Sequence, residues 1–227
     1  MADASSFFNF YSSAEKSRPV SVAWYFQIVR SLLASAIMAI LIDMGIVMFM
    51  TGGLEMLKET YRIEVQYLST TMNTQSIELV TTWVSESYRV LFTETGIHHY
   101  LYTSNNQISS PIISGMWPLL QGAMIGFQVF MIRLSVIVLF MPFILLTILV
   151  STSDGFLGWY LRRTSGARES GFIYHRSKFF LTWGINSLCF IYLVPPFAVN
   201  PLYIFIPMII ITALCTHLSV QYFKKYV

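Results

Sequence analysis

Charge is what this chain has least of. Asp, Glu, Lys and Arg make up 11% of its 227 residues, about half the share of an ordinary soluble domain, while hydrophobic residues reach 55%. That balance points away from a water-soluble globule and toward a membrane protein. Cysteine is scarce too. Cys189 and Cys215 each sit inside an apolar run, where a thiol behaves as a small hydrophobe, so no disulfide framework is implied. Catalytic signatures are missing: there is no Walker A lysine, no HExxH and no GxSxG, and His175 has no nucleophile at a recognisable spacing. No case for an enzyme arises. His98 and His99 are adjacent, so on a helix they point about 100° apart, and no Cys or further His accompanies them; zinc is not expected. Neither a metal nor a cofactor is expected. The formal charge of +3 is too small for nucleic-acid binding by bulk charge.

What is present is a set of apolar runs separated by polar intervals. Residues 1–30 read as a cytoplasmic tail with an interfacial segment at Trp24 and Tyr25, and no small-x-small cleavage site follows, so the first run reads as a retained anchor. Apolar residues 31–51, 116–150, 179–199 and 202–220 read as four transmembrane helices. The second run is roughly 50 Å long as a helix, more than a ~30 Å hydrocarbon core requires, and Pro142 should kink it. The third is stopped by Pro195 and Pro196.

Residues 52–115 are polar, and between Gly53 and Gly96 there is no Gly or Pro. Leu54, Leu57, Tyr61, Val65, Leu68 and Met72 step by three and four. Ile77, Val80, Val84, Tyr88 and Leu91 do so in another phase, which predicts two amphipathic helices folded as a hairpin and packed chiefly on each other. The expected fold is all-α: a polytopic membrane protein with four transmembrane helices and a helical periplasmic hairpin.

Residues 151–178 form the one strongly basic interval, with Arg162, Arg163, Arg168, Arg176 and Lys178 against Asp154 and Glu169. Read as a loop, it belongs on the cytoplasmic side. The count over the whole topology agrees, with ten basic residues inside and three, Lys58, Arg62 and Arg89, outside. Both termini, including the tail at 221–227 with Lys224 and Lys225, then face the cytoplasm, and the location expected is a bacterial inner membrane.

Asp43 and Arg133 are the only full charges inside the predicted spans. A buried charge is costly unless paired or hydrated, so the two form either a structural ion pair or part of an ion or proton path. Their depths, about 18 Å and about 27 Å from the inner end, differ enough that pairing needs tilt and a long Arg reach. Gly122 and Gly126 form a GxxxG spacing that suits close helix packing. Basic residues at the inner leaflet would also contact anionic lipid.

The pattern Asp154-Gly155, Arg162-Arg163, Gly166-Ala167-Arg168-Glu169-Ser170, Tyr174-His175-Arg176-Ser177-Lys178, then Pro196, Asn200-Pro201 and Phe223-Lys224-Lys225-Tyr226 resembles the DUF4400 family. These are inner-membrane proteins of integrating conjugative elements and related conjugative plasmids, and the likeness runs from Arg133 to the C-terminus. The resemblance implies a setting in conjugation and type IV secretion, with the coupling ATPase and other secretion subunits as partners beside the lipid bilayer, and self-association as a further option. It implies no activity. An accessory inner-membrane subunit is the expected role, with Arg162, Arg163, Arg168, Glu169, Tyr174, His175, Arg176 and Lys178 as the partner-binding surface. The alternatives are a small ion- or proton-coupled transporter or channel, resting on Asp43 and Arg133, and an exclusion factor acting in recipient cells.

Overall fold

The computed structural model describes residues 20–97, 99, 111–166 and 170–223. Among them all regular structure is helical: α1 Val20–Phe49, α2 Gly53–Thr71, α3 Thr74–Tyr88 with a π-helical turn Arg89–Thr93, α4 Pro111–Ser165, α5 Gly171–Leu193 and α6 Pro201–Gln221. Local chemistry accounts for the breaks. Gly52 turns the chain with φ +87°, which favours glycine, and a Cβ on Gly53 would collide with the Ile46 carbonyl. Met72 and Asn73 are extended, which separates α2 from α3 where the apolar phase slips. Asn200 caps α6 by accepting a hydrogen bond from the Leu202 N–H at 3.0 Å, ahead of Pro201 at the first helical position, where its missing N–H costs nothing.

Among the described residues three helices are long and apolar enough to cross a membrane, at Phe26–Phe49, Met116–Ser165 and Pro201–Gln221. The fourth expected span, α5, has the length, 23 residues, but His175, Arg176 and Lys178 in its first turns dilute its apolarity. The basic interval expected as a loop is mostly helix. Helix α4 continues through Ser165 and α5 starts at Gly171, because Gly155 and Gly158 lie close against α6 and nothing between them breaks the helix.

Helix α4 is the axis on which everything else is hung. Its 55 residues make a rod of about 80 Å, continuous through Pro118 and Pro142. Around its N-terminal half, α1 runs antiparallel, with Val47 beside Gly122 and Asp43 beside Gly126. Helix α2 runs parallel to α4, with Leu57 near Gly122 and Glu64 bonded to Arg133. Around the C-terminal half, α6 runs parallel, Phe205 stacking on Phe140 at 4.3 Å and His217 lying against Gly155. Helix α5 runs back along α6, joined by Tyr192 to Phe205 and by a 2.8 Å hydroxyl pair, Ser177 with Ser219. The apolar stripes of α2 and α3 are not reserved for each other: buried Leu68, Val80 and Val84 join one core with Phe130, Ile132, Val136, Tyr192 and Phe205. That core lies where the two halves meet.

The α4–α6 seam admits no side chain at Gly155. A Cβ there would sit 2.8 Å from the His217 carbonyl oxygen, a backbone atom that cannot swing away. Gly155→Ala is expected to lower stability by about 1–3 kcal/mol, read as a reduced Tm in detergent. Gly184→Ala, with nothing within 4 Å of its Cβ, is the control and should leave Tm unchanged.

Candidate functional site

Two polar constellations are built on this scaffold. The first is a buried ion pair at the junction of the two halves of α4. Arg133 and Glu64 have side chains 1% and 2% exposed. Glu64 Oε1 accepts from Arg133 Nε at 2.9 Å and from Nη2 at 2.7 Å, and from the Val199 N–H at 3.2 Å. Arg133 also donates through Nη1 to the Pro195 carbonyl at 2.5 Å and through Nη2 to the Phe197 carbonyl at 2.7 Å. Four of its five N–H groups are thereby engaged. Thr60 adds a bond from Oγ1 to the Pro196 carbonyl at 3.2 Å, and the Tyr192 ring lies 5.9 Å from the guanidinium carbon. The pair thus ties α2, α4 and the α5–α6 connection at one point. Helix-breaking Pro195 and Pro196 help leave carbonyls in that connection without helical partners, and Arg133 takes up two of the carbonyls there.

Asp43 is not the direct partner of Arg133. It is 5% exposed, lies against Gly126 and feels Arg133 only through space. The correction has a clear cause. Asp43 lies against Gly126, two turns of α4 or about 10 Å along the axis before Arg133, whereas Glu64 and the Pro195 and Phe197 carbonyls bond the guanidinium directly. Read as a periplasmic segment, 52–115 offers no partner to a charge inside a span, so its position in the sequence does not point to Glu64. One signal could have found it: Glu64 falls seven residues after Leu57 and four before Leu68, on the apolar face of α2. Gly122 and Gly126, singled out for close packing, lie against Val47 and Asp43 of α1.

The second constellation gathers the C-terminal turns of α4 and α6 with the first turns of α5. Arg162 donates through Nη2 to the Phe223 carbonyl at 3.1 Å and lies over the Tyr222 ring at 5.0 Å. Its Nη1 is enclosed with no hydrogen-bond partner among the described residues. Arg163 lies over Trp159 at 5.4 Å and Arg176 over Phe172 at 5.5 Å, contacts that hold the guanidinium planes while leaving their edges free to donate. Tyr174 packs edge-on to Phe223 at 5.8 Å and to His175 at 5.3 Å. Lys178 is exposed on the same turns. His217 Nδ1 lies 2.9 Å from Asp154 Oδ2, without the alignment of a hydrogen bond. Arg162, Arg163, Tyr174, His175, Arg176 and Lys178 are thus brought to one end of the molecule. Arg168 and Glu169, with Lys224 and Lys225, lie outside the described residues.

Chemically, this end can bind anionic groups through several guanidinium edges backed by aromatic rings. Among the described residues no group of three or more His, Cys, Asp or Glu side chains is placed to hold a metal ion.

Comparison with known proteins gives one finding. A family described as IncC plasmid conjugative DNA transfer protein DtrJ-like has a model that matches residues 51–224, a stretch that contains both constellations but not Asp43. No curated protein and no solved structure matches the chain.

Proposed function

The chain belongs to the DtrJ-like family of IncC plasmid conjugative DNA transfer proteins, and from that premise we propose that it is an accessory inner-membrane subunit of a conjugative type IV secretion system. Its task is to support or position the coupling ATPase during DNA transfer. In this reading α5 completes a set of four spans, α2 and α3 face the periplasmic side, and both termini face the cytoplasm. The ten-to-three distribution of basic residues supports that orientation. The DUF4400 likeness of the C-terminal half belongs to the same proposal, since both relationships point to conjugation.

One observation carries the docking part of the reading: the basic cluster is a built surface. Arg162 of α4 is held against Tyr222 and Phe223 at the end of α6, Tyr174 of α5 packs on the same Phe223, and Arg163 and Arg176 each lie over a ring of their own helix, Trp159 and Phe172. A leaflet-retention signal alone requires only positive charge, not fixed geometry. Such a surface fits an acidic, membrane-proximal face of the motor.

The test uses donor cells carrying the whole conjugative element, with a photocrosslinking residue placed at Arg163 or Arg176, both exposed. Crosslinks to the coupling ATPase are expected. The double substitution Arg163→Glu and Arg176→Glu should lower DNA transfer by about tenfold or more at normal accumulation, equivalent to roughly 1.4 kcal/mol of lost docking. No crosslink to the motor together with unimpaired transfer would end the docking assignment.

A further inference from the structure

Once Arg133 is assigned to Glu64, one buried acid is left over among the described residues. We propose that Asp43 is a proton-binding site, held as a neutral carboxylic acid at the seam between α1 and α4. The inference is independent of the docking surface, which lies at the other end of α4's contacts.

Placement comes first. Asp43 belongs to the face of α1 that carries Ser31, Ser35 and Ala39 at four-residue intervals, all buried. That face meets α4, where the carboxylate rests on Gly126 so closely that a Cβ there would overlap it. Only 5% of the residue is exposed, and among the described residues its carboxyl group has no hydrogen-bond or ion-pair partner.

The charge count comes next. Among the described residues the charge that acts on Asp43 is Arg133 on α4, and around that guanidinium stand Glu64 on α2, whose carboxylate is bonded to it, and Tyr192 on α5, whose hydroxyl is buried with no hydrogen-bond partner. Along α1 itself the nearest other charge is Arg30, about 20 Å away along the helix. Two carboxyl groups therefore share one guanidinium, and Glu64 takes it by direct contact, with four of the five N–H groups already engaged. A bare carboxylate left in that setting would be very costly, and a buried acid of this kind neutralises by taking up a proton. The step is a simple exchange: the carboxylate accepts one proton from solvent and releases it again, with no other bond made or broken. A metal cation is the poorer occupant. It would want several oxygen ligands, whereas Gly126 offers no side chain and Arg133 repels it.

Neutrality also explains the packing. A protonated carboxyl can lie against a glycine with little penalty, whereas loss of the proton would place an uncompensated anion in the α1–α4 seam. The seam is thus a place where proton occupancy couples to helix association.

The experiment is infrared spectroscopy of the full-length protein in liposomes at neutral pH. The wild type should show the carbonyl stretch of a protonated carboxylic acid, absent from Asp43→Asn. Superimposable wild-type and Asp43→Asn spectra in that region would overturn the proposal. So would a band that disappears on adding sodium or potassium, because the occupant would then be a metal cation. If Asp43→Asn fails to accumulate, the wild type decides alone: a hydrophobic carbodiimide, which reacts with protonated acids in apolar surroundings, should modify Asp43 as mapped by mass spectrometry. Modification at Glu64 instead, or at neither residue, would overturn the assignment.

Discussion

Glu64→Ala is expected to destabilise the folded protein by about 3–5 kcal/mol, because it strands the Arg133 guanidinium in the core. The pair is 1% and 2% exposed, so water cannot replace the lost carboxylate, and the Val199 N–H loses its acceptor as well. Glu64→Gln should cost less, since it keeps the volume and one acceptor oxygen while removing the charge. The informative comparison is the double replacement of Glu64 and Arg133 by leucine and methionine. Removing both charges should recover much of the loss, because a buried pair is worth far less than the penalty for breaking it. Unfolding in detergent, followed by circular dichroism, reads all three. A Glu64→Ala protein within about 1 kcal/mol of wild type would mean that Arg133 has water or another partner in solution. The same variant should also free the α5–α6 connection, since Arg133 holds the Pro195 and Phe197 carbonyls.

Phe205→Ala is the second large effect, at about 3–5 kcal/mol. Phe205 is 0% exposed, stacks on Phe140 at 4.3 Å and meets the Tyr192 ring edge-on at 5.4 Å. It therefore joins α4, α5 and α6 directly below the ion pair. Truncation leaves a cavity among rings that cannot collapse without moving a helix. Ile206, the next residue on α6, is 53% exposed, and Ile206→Ala should leave Tm nearly unchanged. If both substitutions had equal effects, the rotational setting of α6 about its axis would be wrong.

Helix positions were readable because periodicity is a local property. The break between α2 and α3 showed as a phase slip near Asn73, and α6 was framed by Asn200, Pro201 and the closing basic residues. Small residues at 122 and 126 suggested close packing but could not say against what. The basic interval reads as a loop because it is the polar, charged stretch between two apolar runs. Asp154, Gly155 and Gly158 meet α6 in the folded protein, a tertiary effect with no trace in local composition.

The pairing of charges shows the same division. Asp43 and Arg133 were conspicuous because they interrupt apolar runs, whereas Glu64 was one of six glutamates in a polar segment. Nothing local told it apart except its position on the stripe of α2.

By itself the sequence determined the apolar helices, the polar pair between them, the asymmetry of positive charge and a setting in conjugation, since each depends on composition, spacing or ordered motifs. Only the tertiary structure decided that α2 turns back along α4, that Glu64 and not Asp43 takes Arg133, and that the ends of α4, α5 and α6 meet at the basic cluster. The reason is physical: which charges meet is set by helix direction and rotation across 69 residues of separation, quantities that exist only once the helices have packed.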